Sequence, residues 1–313
     1  MSTSRKPVVI VGSATMDLVT RTPRIPAVGQ TLIGTSFETT PGGKGANQAV
    51  AAARLGYPVQ MVGMVGDDGY GPAIRESLAR AGVGTDGIGV VPGSSGLAPM
   101  FVAASGENSI VVVPGANGKI TPEFVDRSAA ILRSAGMVLC QLEIPMETVA
   151  HTLELCAAAG VPVMLDPAPA APLPGAAWSQ IAWFTPNETE AAFYLDGHQS
   201  PEAAADHLLA RGLPAVALKR GAEGAYIATA NGRRGWVEPF AVEALDTVAA
   251  GDCFNGAFAV ALLENLDPFE AARFANAAAA ICVTREGAQA SMPSREDVEA
   301  FLLSRNSGSF CSQ

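Results

Sequence analysis

Short apolar runs alternate with stretches rich in alanine and leucine along most of this chain, and that alternation limits the fold more than any other feature. The runs lie at residues 8–12 (VVIVG), 59–65, 136–142, 161–166, 181–185 and 215–218. Continuous apolar runs of this length, closed by turn residues, read as strands buried on both faces. The stretches at 45–55, 72–81, 122–134, 146–159 and 201–211 read as helices. Strands and helices in alternation form βαβ units, so an α/β fold is expected, with a mostly parallel sheet covered by helices. Two early segments, 18–40 and 97–113, break the pattern. They carry β-like residues and turn signals without helical periodicity, and read as a small antiparallel insertion beside the main sheet. Ligands in α/β folds sit outside the carboxyl ends of the strands, where such an insertion can act as a lid. No repeat or linker divides the 313 residues, so one domain is expected, with a lid from about 15–41 and 96–114. The end, 304–313 (SRNSGSFCSQ), reads as a disordered tail.

Charge narrows the function. Lys and Arg total 20 against 30 Asp and Glu, a formal net charge of −10. A general nucleic-acid binder needs a basic surface, which this chain lacks. No apolar run is long enough to span a membrane, and none at the start reads as a secretory signal. The five cysteines show no Cys-x-x-Cys pairing and read as reduced thiols of a cytoplasmic protein. An acidic chain that binds a phosphorylated ligand must rely on local devices: helix N-termini, backbone amides, a few cations or a metal ion.

Some candidate motifs lack the context they need. Gly82, Gly84 and Gly87 fit G-x-G-x-x-G but follow a helix rather than a strand. His151, His198 and His207 show no metal-ligand spacing, and Asp67-Asp68 reads as an exposed acidic turn. Four other segments fit a phosphate-handling site. In residues 41–49 (PGGKGANQA), Gly42 and Gly43 permit close backbone approach, while Lys44 and Asn47 offer donors where a helix begins. In residues 246–256 (DTVAAGDCFNG), small residues lead into a nearly all-apolar helix. Its free amides at Ala250, Gly251 and their neighbours suit an oxyanion, and Asp252 can accept a proton and cap the helix at once. Asn187 and Glu190 lie three apart at another helix start, where capping explains them and ordering of hydrated Mg²⁺ is the alternative. The turn Lys219-Arg220-Gly221-Ala222-Glu223-Gly224 follows a strand and brings two cations, as a phosphate loop or as a solvated hairpin.

Taken in order, residues 42–56 (GGKGANQAVAAARLG), 114–117 (PGAN), 141–143 (QLE), 166–170 (DPAPA), 185–191 (TPNETEA), 246–257 (DTVAAGDCFNGA) and 283–289 (VTREGAQ) resemble the signatures of the ribokinase/PfkB family of carbohydrate kinases, in its ribokinase branch. The resemblance runs from about residue 7 to residue 303. It implies a three-layer α/β/α fold with a β lid, and transfer of the γ-phosphate of ATP to the 5-hydroxyl of D-ribose. Asp252 would match the general base, with Ala249, Ala250 and Gly251 as the anion hole. Asp17, Gly42, Gly43, Lys44, Asn47 and Glu143 would match the sugar-binding set. Asn187 would contact phosphate, with Glu190 ordering Mg²⁺ through water; Lys219 to Gly224 would form the nucleotide loop and Asn276 would lie near the adenine. Asp246, Val248, Cys282, Arg285, Gly287 and Ser291 would match a potassium site, mostly through backbone oxygens. The resemblance also implies a homodimer joined through the lid. Thr15 stands where many members carry Asn, which leaves ribose, 2-deoxyribose and a nucleoside open as acceptors. A non-catalytic sugar sensor would be expected to lack Asp252. Lys219-Arg220 replaces a common Thr-Leu, and Cys253 replaces a common Thr or Ser; its thiol donates only weakly, and oxidation there could block the site.

Overall fold

The computed structural model describes residues 5–195 and 197–307. The chain begins β1 (Val8–Val11), β2 (Thr15–Thr22), β3 (Ser36–Gly42), α1 (Lys44–Arg54), β4 (Val59–Gly66), α2 (Tyr70–Arg80), β5 (Val83–Val91), β6 (Gly96–Ala103) and β7 (Asn108–Ile110). It continues with α3 (Pro122–Arg127), α4 (Ala129–Ser134), β8 (Met137–Cys140), α5 (Met146–Ala159), β9 (Val163–Leu165), β10 (Trp183–Phe184), α6 (Glu188–Tyr194) and α7 (Pro201–Ala210). It closes with β11 (Ala215–Lys219), β12 (Ala225–Thr229), β13 (Arg234–Val237), α8 (Ala250–Leu263), α9 (Pro268–Cys282) and α10 (Arg295–Ser307). Nine strands form the main sheet in the order β13-β12-β11-β10-β9-β8-β1-β4-β5, parallel except where β12 pairs with β11 and β13.

β1 shows why the sheet sits at the centre. Its four residues are fully buried, between β4 on one side and β8 on the other. Side chains alternate across a strand. Val8 and Ile10 therefore join the apolar cluster that holds α1, α8 and α9, while Val9 and Val11 join the one that holds α5. Helices cover both faces, which is the expected three-layer arrangement. Helix α8 is buried without interruption from Asp252 to Ala261. It approaches α1 so closely that a β-carbon on Gly256 would lie 2.7 Å from Ala51 Cβ.

The second sheet runs β3-β2-β6-β7 and corresponds to the expected lid. It is mixed rather than antiparallel, because β2 and β6 pair in parallel across the long connection between them. The helix expected at 122–134 is broken at Ser128 into α3 and α4. β5 was masked by its glycines, which are generally depleted in strands. Here they make room: a β-carbon on Gly87 would lie 2.6 Å from Met61 O, and one on Gly89 would lie 2.7 Å from the Phe124 ring. Within the G-x-G-x-x-G pattern, Gly84 and Gly87 are close-packed against β4, whereas Gly82, with φ at 87° and open space around it, closes the turn after α2. The expected disordered tail is overturned at its start, since α10 continues to Ser307, and residues 308–313 lie outside the described residues. Among the described residues no helix is long and apolar enough to cross a membrane.

Candidate active site

The cleft lies where the N-termini of α1 and α8 meet the carboxyl ends of β8, β9 and β11. Gly43 turns the chain into α1 with φ at 91°, a region costly for residues with a β-carbon. Gly42 has no room for a side chain, because a β-carbon there would fall 2.3 Å from an Asp17 carboxylate oxygen. The backbone N–H of Lys44 donates to Glu143 Oε2 at 3.0 Å, and the Ser13 hydroxyl donates to the same oxygen at 2.5 Å. The first turn of α1 then reaches across to α8. Asn47 Nδ2 donates to Asp252 Oδ2 at 3.0 Å, and Gln48 Nε2 donates to Asp252 Oδ1 at 3.1 Å. Gln48 Nε2 also donates to Asp166 Oδ2 at 2.9 Å, and Gln141 Nε2 steadies Gln48 by donating to its Oε1 at 2.7 Å. The Asp166–Gln48–Gln141 chain was not identified from sequence. Each residue sits inside a quoted signature, but only the fold joins them.

Asp252 is not the helix cap. Ala249 occupies the N-cap position in the left-handed region, at φ 59°, and no side chain caps the end. Asp252 is the third helical residue and is 5% exposed. Burial pushes its carboxyl above the usual range; Lys44 opposes that, the Asp166 charge adds to it, and the Asn47 and Gln48 hydrogen bonds oppose it again. A buried carboxylate with raised proton affinity suits a general base. Asp17 is pushed up to about 6, by burial first, with the Thr15 hydroxyl opposing and the Glu143 and Asp252 charges adding. Thr15 Oγ1 donates to Asp17 Oδ1 at 2.9 Å. For Lys44, burial alone would lower the pKa, but Asp252, Asp166, Glu143 and Glu190 outweigh it and keep the ammonium charged.

At α6 the capping explanation holds in full. Asn187 Oδ1 accepts from the Glu190 N–H at 2.8 Å, Glu190 Oε2 accepts from the Asn187 N–H at 2.7 Å, and Asn187 Nδ2 donates to Glu190 Oε1 at 2.9 Å. Pro186 directly precedes this cap. The two cations of the next loop part company. Lys219 Nζ donates to Asp166 Oδ1 at 2.8 Å inside the cleft, whereas Arg220 is tied to Glu188 at 2.8 Å and Glu223 at 2.9 Å. Gly224 lies against β13, where a β-carbon would meet Val237 O at 2.3 Å. Asn276 Nδ2 donates to the carbonyls of Val237 and Glu238, each at 3.1 Å, placing it beside the same loop. Gly221, Ala222 and Glu223 form a short 3-10 turn between them.

The last group also converges. Asp246 Oδ1 accepts from the Val248 N–H at 3.0 Å and Oδ2 from the Gly287 N–H at 2.9 Å. Cys282 Sγ and Ser291 Oγ lie 3.0 Å apart, and Arg285 Nη2 donates to Asp297. Cys253 is 1% exposed, and a hydrogen bond with Cys282 followed by burial keeps its thiol protonated. Elsewhere, Asp68 closes the turn before α2, accepting from the N–H groups of Tyr70, Gly71 and Ser95.

The family model described as pfkB family carbohydrate kinase matches residues 5–295. The chain belongs to the pfkB family of carbohydrate kinases. Over 293 residues the kinase is 44% identical to a ribokinase of Bacillus subtilis, covering 94% of this chain and 98% of that one. A deoxyribokinase of Salmonella typhimurium is 38% identical over 301 residues, covering 94% of the kinase and 98% of the relative. The solved structure of Arabidopsis thaliana ribokinase complexed with ribose and ATP superposes with a TM-score of 0.90 at 36% identity, covering 95% of this chain and 98% of that one.

Proposed function

We propose that this kinase transfers the γ-phosphate of ATP to the 5-hydroxyl of D-ribose, giving ribose 5-phosphate and ADP. The observation that carries the reading is Asp252, buried, held on both oxygens by Asn47 and Gln48, and set in the first turn of an uncapped helix. A carboxylate so fixed can take the proton of an attacking hydroxyl while the amides at Ala249, Ala250 and Gly251 hold the transferring group. Asp17, Gly42, Gly43, Lys44, Asn47 and Glu143 surround the space beside Asp252 with acceptors and donors for ring hydroxyls. Asn187, Lys219 to Gly224 and Asn276 border the nucleotide side. The whole chain works as one catalytic unit with its lid.

The remaining parts belong to the same reading. Both Glu190 oxygens already accept hydrogen bonds from Asn187, so this carboxylate would meet Mg²⁺ through water rather than directly. The ion would neutralise phosphate charge. The Asp246, Val248, Cys282, Arg285, Gly287 and Ser291 group would hold K⁺ mostly through backbone oxygens, with the Arg285 guanidinium drawn off to Asp297. Exposed apolar residues on the lid, Phe37 at 62%, Phe101 at 40% and Ile110 at 46%, support a homodimer joined there. Among the described residues, the buried free thiols Cys140, Cys156, Cys253 and Cys282 support a cytoplasmic location.

A second reading, 2-deoxyribose as the acceptor, draws on Thr15: its hydroxyl donates to Asp17 and is engaged before any sugar arrives. ADP release measured with D-ribose, 2-deoxyribose and a nucleoside panel decides between them. Ribose is expected to give the highest kcat/KM; a preference for 2-deoxyribose or a nucleoside overturns the ribose assignment. A rate equal in sodium and potassium buffers overturns the potassium role.

A further inference from the structure

Lys219 ends β11, and its backbone bridges Asn187 at the start of α6. Its side chain is 11% exposed, and Nζ donates to Asp166, whose side chain is 3% exposed. The same Nζ lies 3.5 Å from the point that a β-carbon on Gly251 would occupy. The ammonium therefore hangs over the first turn of α8, where no side chain caps the amides. An ammonium and a helix N-terminus are both positive, and their convergence is unfavourable until an anion joins them. Asp166 supplies one negative charge from the side. The transferring phosphoryl group, with its charge spread over three equatorial oxygens, would supply the rest.

We infer that Lys219 is a catalytic residue of the phosphoryl transfer: its ammonium contacts the oxygens of the γ-phosphoryl group at the α8 N-terminus, with Asp166 holding it in place beforehand. This rests on the kinase reading above and assigns Lys219 a part in the chemical step, beyond nucleotide binding. The sugar O5 bonds to the γ-phosphorus as the bond from phosphorus to the β-phosphate oxygen breaks, and that electron pair leaves with ADP. The O5 proton passes to Asp252, and Lys219 takes no part in that proton transfer. Asp166 has a further effect. By taking the ammonium and sharing Gln48 with Asp252, it keeps Lys219 from pairing with the base itself.

ADP release with D-ribose, on the full chain, tests this with wild type, K219M, K219R and the K219M/D166N double variant. Ribose and ADP binding by calorimetry reports folding. K219M is expected to lower kcat about 10²-fold, the scale of losing one preorganised donor, while ADP binding changes little. K219R is expected to recover part of the loss. The double variant is expected to stay as slow as K219M, because removing the stranded carboxylate restores packing but not the missing cation. Should K219M fail to bind ribose, K219R and the double variant carry the test. A double variant with wild-type kcat makes Lys219 a structural counterion and overturns the inference, as does a loss confined to KM for ATP. A wild-type chain that releases no ADP with any sugar overturns the ribose reading as well; an active wild type with an unimpaired K219M overturns the Lys219 role alone.

Discussion

Helices α8 and α9 are packed against each other yet begin in opposite ways. α9 starts at Pro268, and Asp267 accepts from the N–H groups of Phe269 at 2.8 Å and Glu270 at 3.3 Å. Glu270 completes the box by accepting from the Asp267 N–H. α8 starts from Ala249 in a left-handed conformation, and no side chain reaches its amides. Every α-helix has four orphan N–H groups at this end. In α9 the chain satisfies its own; in α8 no side chain caps the end, and the Ala250 N–H reaches only the Thr247 carbonyl at 3.4 Å. A left-handed alanine costs on the order of 1 kcal/mol, and it sits at the open end only. A left-handed alanine with no side-chain cap at one helix, and a full capping box at its neighbour, separate the proposed catalytic end from the structural one.

The sharpest way to break the contrast is at Asp252, the first acidic side chain of the open end. Asp252→Asn is expected to lower kcat by roughly 10²–10⁴, with ribose binding retained. ADP-release kinetics beside ribose calorimetry would measure both. A variant with full turnover would remove Asp252 from the role of base.

Asp252, Gly251, Asn47 and Lys44 were legible because each lies in a short segment whose residue types point to phosphate and sugar. The network behind them was not. Gln48 reaches Asp166 across 118 positions and Asp252 across 204, and Gln141 reaches Gln48 across 93. No local pattern encodes such pairs. Asp252 also read as a plausible N-cap, because aspartate favours that position and nothing in propensity foretells a left-handed Ala249. The main parallel strands were readable as apolar runs, being buried on both faces. The edge hairpin β12–β13 was missed: β13 is four residues with three of them incompletely buried, too little pattern to register. Arg220 shows the same limit for charge. Sequence marks a cation in a phosphate-like turn, but Glu188 and Glu223 claim it.

The open end depends on how α1 is set against α8. A β-carbon on Gly256 would lie 2.7 Å from Ala51 Cβ and 2.8 Å from the Gln48 carbonyl. Gly256→Ala is expected to destabilise the fold by about 2–3 kcal/mol through over-packing. It should also lower kcat more than it raises KM, since it displaces Asn47 and Gln48 from Asp252. Denaturant unfolding and steady-state kinetics check the pair of effects. Loss of stability with unchanged kcat would uncouple the α1 contact from the base.

Asp17 gives a smaller effect, with a sign that can be checked. Its folded pKa is about 6, above the ordinary 3.8, so the folded state binds the proton more tightly than the unfolded chain. The stability it contributes is fully present below the unfolded value and is lost as pH rises through the folded one. Between about pH 4 and pH 7, the ligand-free wild type is expected to lose about 1–2 kcal/mol relative to Asp17→Asn, allowing for screening in the open cleft. Thermal unfolding of both proteins across that window would show it. Parallel stability curves would place the Asp17 carboxyl in the ordinary range.

The closed end yields the smallest effect, and it concerns stability alone. Asp267→Ala removes the acceptor for two N–H groups at α9 and one partner of the box, which costs about 1 kcal/mol. For a chain of this length that is a fall in Tm of about 2–4 °C. Pro268 still fixes the first turn, and α9 remains packed on α8, so the helix should persist. Neither kcat nor KM should move, because no amide at this end borders the cleft. If Asp267→Ala lowered kcat as strongly as it lowered Tm, the N-terminus of α9 would be coupled to the open end of α8 through their shared packing, and the division between a structural and a catalytic helix start would fail.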